Sequence, residues 1–338
     1  MSRSDRSVPM DNRTDSRDTR PVVSVVLITC NQQRYIRQAI ESVLMQETSF
    51  RYELLIGDDA SRDGTSEIVA AYAREYPQVI RAFIRPENVG AARNALLLLQ
   101  QARGDFIASL EGDDYWIDPH KLEKQAALLR NEPRFIGCTA RIRCVDQDGR
   151  PVRGKPDWIR QKRIFTLRDF DGIHLPGQAS SLMRRNIFRE PAHDYSVLTK
   201  ADSMISDRTA LLIFLLQGDF YCFDEPLSVY RYAAALDSSS ITSQLAGEEA
   251  LIRDLRITQA MEQYAEEEFG RHIVFSRFRR ELYAKAWVRT LRHGSDRMRE
   301  VMAQSAAGCR APWLCTALLP FQIARSVWRT LVRRLHLP

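Results

Sequence analysis

From Val22 onward the chain alternates short β-branched apolar runs with segments of helical periodicity, a rhythm that restricts it to a sheet whose successive strands are joined by covering helices. The run VVSVVLIT (Val22 to Thr29) is almost free of polar residues, as a strand buried on both faces should be. Ile36, Ala39, Ile40, Val43 and Leu44 then recur at helical spacing, with Asn31 as the expected cap. The unit repeats. YELLIG (Tyr52 to Gly57) reads as a strand, DDASRDGT as a turn-rich loop, and Ser66 to Tyr76 as a helix. Val79 to Ile84 is a third strand, ENVGAARNALLLLQQAR a glycine-started helix, and DFIASL (Asp105 to Leu110) a fourth strand running into EGDDYW. In such sheets ligands lie beyond the carboxyl ends of the strands. Both aspartate pairs, Asp58 with Asp59 and Asp113 with Asp114, fall at such ends.

After a helix over Lys121 to Arg130 the rhythm changes to RFIGCTARIRCV, a turn at DQDG and a loop-rich stretch through Pro176, which predicts mixed or antiparallel sheet. A helix over Ser203 to Gln217 and the strands DFYCF and LSVYRY complete this part near Tyr232, and only helical patterns follow from Gln244. The expected organisation is a disordered tail over 1–20, an α/β domain over 21–240 and a helical basic region over 241–338. The tail alternates Arg with Asp and Ser and has too few apolar residues to offset its ordering entropy.

Composition narrows the class further. A 338-residue chain with 44% hydrophobic and 27% charged residues is an ordinary globular protein. Six cysteines without a C-x-x-C pair, and no signal-peptide pattern at the start, point to a reducing cytosol. No G-x-G-x-x-G follows the first strand, which argues against a nicotinamide dehydrogenase. Of the net charge of +6, residues 271–338 supply fourteen Lys and Arg against Glu281, Asp296 and Glu300, so the basic end calls for an anionic neighbour. Within Phe321 to Leu337 a helical wheel gathers Gln322, Arg325, Arg329, Arg333 and His336 on one face, opposite Phe321, Ala324, Trp328, Leu331 and Leu335. The longest charge-free stretch, Ala311 to Ala324, has fourteen residues, fewer than the ~18 to 20 a spanning helix needs. Two readings stand: interfacial attachment to an anionic membrane leaflet, or a terminal helix packed on the rest with solvated arginines. Nucleic acid is not expected, since no recognised binding module accompanies the charge.

The segments VVSVVLITCNQQRYIRQAIESVLMQ, LLIGDDASRDGT, ENVGAARN, EGDDYW and DEPLSVYRY together resemble, in order and separation, the family 2 glycosyltransferases of the GT-A fold. The resemblance covers Val22 to about Tyr232 and implies a mixed α/β sheet with helices on both faces, plus a helical extension. It also implies inverting transfer of a sugar from a UDP- or dTDP-linked donor to an acceptor hydroxyl, in cell-surface polysaccharide or glycolipid synthesis. The acceptor is a saccharide, a lipid-linked sugar or a small molecule, and the place of work is the cytoplasm or the cytoplasmic membrane face.

The same resemblance assigns residues. A departing diphosphate gathers negative charge that Mg²⁺ or Mn²⁺ held by carboxylates can offset. The resemblance implies Asp114 as metal ligand, Asp113 as its partner toward metal or ribose, and Glu111 as the outer member; a solvated acidic turn is the alternative. Asp59 and Asp58 are the nucleoside-binding candidates, against an Asx turn with Asp63 as helix cap. Asn31 and Tyr35 are expected beside the base, and Arg93 near the donor at the helix start that Gly90 opens. Asp207 in MISDRTALLIFLLQG corresponds to the family's general base, with Asp202 a nearby substitute, and charge at a helix N-terminus is the competing role. Gln178 and Ser180 in PGQASSLMRR are acceptor-contact candidates, or ordinary loop polarity. The sequence departs from the family at one place: no histidine follows Tyr232 to reach the metal, so fewer protein ligands are expected, or His174 approaches instead. A catalytically silent nucleotide-sugar binder and a basic membrane-associated scaffold are the rival functions.

Overall fold

The computed structural model describes residues 20–152, 154, 156, 158–202, 207–231 and 247–324. The expected tail over 1–20 except for Arg20, the start of the expected helix at residues 203–206, residues 232–246 and the basic helical face from Arg325 onward lie outside the described residues. The described residues cluster into two compact units. The first comprises 20–167, 175–199 and 207–231, and the second 168–174, 200–202 and 247–324.

The first unit is built on a single mixed sheet. Its parallel half consists of β1 (Val23–Thr29), β2 (Tyr52–Asp58), β3 (Ile80–Ile84) and β4 (Phe106–Glu111), in spatial order β3-β2-β1-β4. Thr29 pairs with Asp58 and Ile28 with Glu111, so the ends of β1, β2 and β4 reach one rim together. The second half adds β5 (Tyr115–Trp116), β6 (Phe135–Val145), β7 (Ile164–Phe165), β8 (Met183–Arg185) and β9 (Asp219–Arg231). Here β8 runs antiparallel to β4 and β6, β6 runs parallel to β9, and β5 and β7 run antiparallel to β9. The sequence suggested two strands where β9 is continuous across Pro226. The proline is accommodated at a register shift between Ala140 and Ile142 of β6, where no ladder donor is needed.

Helices cover both faces, as side-chain alternation requires. Val25 and Leu27 of β1, Ile56 of β2 and Ala108 of β4 share one core with Ile36 and Ile40 of α1 (Ile36–Leu44), Val69 of α2 (Thr65–Glu75) and Leu122 of α4 (Lys121–Asn131). On the other face α3 (Ala91–Leu99) lies so close to β2 that a Cβ on Gly57 would fall 2.9 Å from Leu98, and Asn94 Nδ2 donates to the Gly57 carbonyl at 2.8 Å. On that face α6 (Asp207–Leu215) places Phe214 under Arg184 of β8, with the guanidinium carbon 5.0 Å from the ring centre. A one-turn α5 (Val197–Lys200) precedes it.

Asn31 does not cap α1. It has φ 53°, a left-handed conformation incompatible with the extended geometry of a cap residue, and the helix starts five residues later at Ile36.

The second unit is helical: α7 (Glu248–Phe269), α8 (Ser276–His293), α9 (Asp296–Ala307) and the short α10 (Trp313–Ala317). Leu251, Leu255, Met261, Phe278, Leu282, Met298 and Val301 are buried in it. Arg279, 4% exposed, is ion-paired there with Glu262. No described helix is long and apolar enough to cross a membrane.

Candidate active site

The site begins where β4 ends. The turn Glu111-Gly112-Asp113-Asp114 is pressed against the end of β1, because the Gly112 amide donates to the Ile28 carbonyl at 3.0 Å. Any Cβ on Gly112 would stand 2.7 Å from Thr29 Oγ1 and 2.8 Å from its Cβ, so only glycine fits without moving β1. Glu111, Asp113 and Asp114 each bring one carboxylate oxygen within 4.8 Å of the other two.

That crowding is braced from both sides. Ser180, fully buried in the 3₁₀ turn Ala179–Ser181, donates its hydroxyl to Asp114 Oδ2 at 2.6 Å and accepts the Glu111 amide at 3.1 Å. Gln178 donates Nε2 to Glu111 Oε2 at 2.9 Å, and its Oε1 accepts the Ser180 amide. With 3% and 0% of their surfaces exposed, Gln178 and Ser180 hold the acidic turn from within. On the other side Arg231, at the end of β9, donates its amide to Asp114 Oδ1 at 2.8 Å and Nε to the Asp113 carbonyl at 2.9 Å. Its remaining nitrogens reach the Asp146 carbonyl at 3.2 Å and Gln38 Oε1 at 3.1 Å, and its guanidinium stacks 4.3 Å from the Tyr35 ring centre. Sequence reading passed over Arg231. The only signal for it was its place at the end of LSVYRY, where a metal-binding histidine was sought.

Burial raises the carboxyl pKa of all three acids. For Glu111 and Asp114 the shift is large, and neighbouring carboxylates add to burial; for Asp113 burial dominates, opposed by Arg231 among others. Hard oxygen donors at this spacing suit Mg²⁺ or Mn²⁺, and a divalent ion would relieve the repulsion that now favours protonation. The donor set fits the cation.

Asp207 begins the described part of α6. It is exposed to solvent. Desolvation by the protein around it raises its carboxyl pKa, Arg184 opposes the rise, and the Asp207 charge in turn raises the pKa of Glu111. Asp207 and the acidic turn therefore share one electrostatic neighbourhood. The Asp202 carboxylate is 4% exposed and accepts from Arg253 at 3.2 Å and Arg256 at 3.1 Å within the second unit, so it is not a free substitute base. In the same unit His174 Nδ1 is held by Asp171 at 2.7 Å.

At the end of β2 the two aspartates serve the loops. Asp58 is fully buried, and its carboxylate accepts from the hydroxyls of Ser61 and Ser66 and from the Ser61 amide at 3.3 Å. It braces its loop. Asp59, 3% exposed, accepts the amides of Val89 at 2.8 Å and Gly90 at 3.0 Å, which fixes the loop leading into α3. Asp63 does secure the start of α2, accepting the Thr65 amide at 3.0 Å. Asn31 Oδ1 accepts the Arg62 amide at 2.7 Å, and the side chains of Asn31 and Arg93 are exposed while Tyr35 is half-buried. Asn31 and Ala60, both just beyond parallel strand ends, are the described non-glycine residues with positive φ. Backbone strain of this kind gathers where a binding site over-determines the chain.

Comparison with known proteins agrees with this architecture. The model of glycosyl transferase family 2 matches residues 24–190. An uncharacterized protein of Mycobacterium tuberculosis is 35% identical over 211 residues, 62% of this chain and 58% of that protein, so this chain spans under two thirds of the relative's length. A Bacillus subtilis protein whose name assigns it to teichuronic acid biosynthesis, the glycosyltransferase TuaG, is 33% identical over 133 residues, 39% of this chain and 51% of that protein. The crystal structures of S. aureus TarS 1-349 in complex with UDP and with UDP-GlcNAc superpose with TM-score 0.51 at 16% identity, covering 91% of each chain. Residues 24–190, which hold the parallel half-sheet and the acidic turn, belong to glycosyl transferase family 2, and the fold is GT-A.

Proposed function

We propose that this chain is an inverting, divalent-cation-dependent glycosyltransferase that moves a sugar from a UDP- or dTDP-linked donor to an acceptor hydroxyl in cell-surface polysaccharide or glycolipid synthesis at the cytoplasmic side. The observation that carries the proposal is the braced trio Glu111, Asp113 and Asp114 at the carboxyl rim of the parallel strands, with Asp207 in its electrostatic field. A Mg²⁺ or Mn²⁺ bound by Asp113 and Asp114 would offset the charge that grows on the departing diphosphate. The UDP and UDP-GlcNAc of the TarS complexes and the teichuronic acid role in the name of TuaG support the donor and pathway class.

The chain's own residues do the rest. Tyr35, fixed under the Arg231 guanidinium, and Asn31 border the nucleoside side, while Asp59 fixes the loop leading into α3, whose first turn carries Arg93 toward the donor. Arg231 ties Asp113 and Asp114 to that wall, so the cation ligands and the nucleoside contacts keep one geometry. Asp207 accepts the acceptor's hydroxyl proton as its oxygen bonds to the anomeric carbon and the bond from that carbon to the phosphate oxygen breaks. The test is transfer in the presence of Mn²⁺ from a panel of nucleotide-sugars, with the product's anomeric configuration read by NMR. Inverted product, and an Asp207→Asn variant that loses ~10²- to 10⁴-fold in transfer while still binding donor, are expected. Retained configuration, or full activity in Asp207→Asn, would contradict the proposal.

A further inference from the structure

The helical unit carries an apolar stripe that its own core leaves uncovered. From Ala311 to Ala324 the sequence has no charged residue. Along the turns that begin at Trp313 the exposed positions are Trp313, Thr316, Ala317, Pro320, Phe321 and Ala324. They recur three and four residues apart and so form one helical face. Its single hydroxyl, on Thr316, is turned back to the Trp313 carbonyl at 2.9 Å. Trp313 keeps 67% and Phe321 64% of its surface exposed. On the other side of the same turns Cys315 is 2% exposed and its Sγ lies 3.6 Å from that of Cys309, which anchors the segment to the unit and leaves the stripe facing outward.

Charge selects what covers it. The end of the chain from residue 271 has fourteen Lys and Arg against three acidic residues. Lys285 and Arg310 are exposed and make no ion pair among the described residues. Arg310 stands three residues before Trp313, and Arg325 directly follows Ala324 in sequence. An exposed tryptophan and phenylalanine beside Arg310, which makes no ion pair among the described residues, match a surface whose apolar interior lies beneath anionic headgroups. Fourteen uncharged residues can lie in such an interface but cannot span it.

We propose that residues 310–324 dock this protein on a bilayer containing anionic lipid, with Trp313 and Phe321 seated among the headgroups and Arg310 on their phosphates. The proposal is independent of the sugar-transfer chemistry. Sedimentation of the full chain with phosphatidylcholine vesicles, with and without phosphatidylglycerol, tests it. Binding that requires phosphatidylglycerol, weakens with salt, and falls roughly a hundredfold in Trp313→Ser/Phe321→Ser is expected, from the aromatic area withdrawn from the interface. Arg310→Gln should lower it by about fivefold, and since all three side chains are exposed, the variants should melt with the wild type. Failure to sediment, or sedimentation unchanged in the double variant, overturns the proposal. So does a dimer in light scattering that the double variant dissolves while vesicle binding persists, because the stripe would then face a second copy of the chain.

Discussion

Replacing Asp113 by asparagine keeps the shape of the acidic turn and removes one of its charges. Glu111, Asp113 and Asp114 hold carboxylate oxygens within 4.8 Å of one another, and at an effective dielectric constant of about 20 a like-charged pair at that separation repels by about 3.5 kcal/mol. The Asp113 charge acts on both neighbours, but their raised pKa values show that protonation already relieves part of the repulsion, and the attraction between Asp113 and Arg231 is lost with the charge. The balance favours the variant. Without metal, Asp113→Asn should be more stable than the wild type by about 1–3 kcal/mol near neutral pH, a rise of a few degrees in Tm. The sign with pH follows from the direction of the shifts. Carboxyls whose folded pKa is raised give their full contribution below their unfolded values, near 4, and lose it as pH rises through the folded ones. The variant's advantage should therefore be small in acid and grow toward neutrality. Melting curves in EDTA and in MnCl₂ across that pH range measure it, with Mn²⁺ stabilising the wild type and leaving Asp113→Asn nearly unmoved. A variant less stable than the wild type in EDTA at every pH, with its Mn²⁺ shift intact, would refute the reading of this turn as a crowded cation site.

Ser180→Ala should lower stability by about 2–4 kcal/mol in urea melts, since it strips a bond from a buried carboxylate and orphans the Glu111 amide; an unchanged midpoint would mean that the brace is idle. Lys121 is fully buried, donates to Gln125 Oε1 at 2.6 Å and lies 4.2 Å from a Trp116 ring centre, and burial lowers its pKa to about 7. A lowered lysine pKa favours folding more as pH rises from the folded toward the unfolded value. Lys121→Met should accordingly stabilise the protein below neutral pH by about 2–4 kcal/mol, an advantage that shrinks in alkali; a destabilised variant at acid pH would show that the ammonium is held favourably.

The parallel half of the sheet was legible because buried strands advertise themselves. VVSVVLIT, YELLIG and DFIASL were placed within a residue of β1, β2 and β4, since short, largely apolar runs bounded by turn signals are what strands covered on both faces leave in a sequence. Local turn chemistry misled at Asn31, whose left-handed backbone belongs to the loop and not to a cap. The site was legible only in part. The acidic turn shows in the sequence because its ligands are adjacent, whereas its braces arrive from residues 178–180 and 231, and a contact spanning sixty to more than a hundred positions leaves no periodic trace. For the same reason the bracing bonds of Gln178, Ser180 and Asp58 show only in the folded chain.

The central claim is that the Glu111 to Asp114 turn binds a nucleoside diphosphate through a divalent cation. Calorimetric titration of UDP into the metal-stripped protein, with and without Mn²⁺, and into Asp114→Ala tests it most directly. The account predicts binding that Mn²⁺ tightens strongly in the wild type and not in the variant. Equal affinity in all three titrations would contradict it.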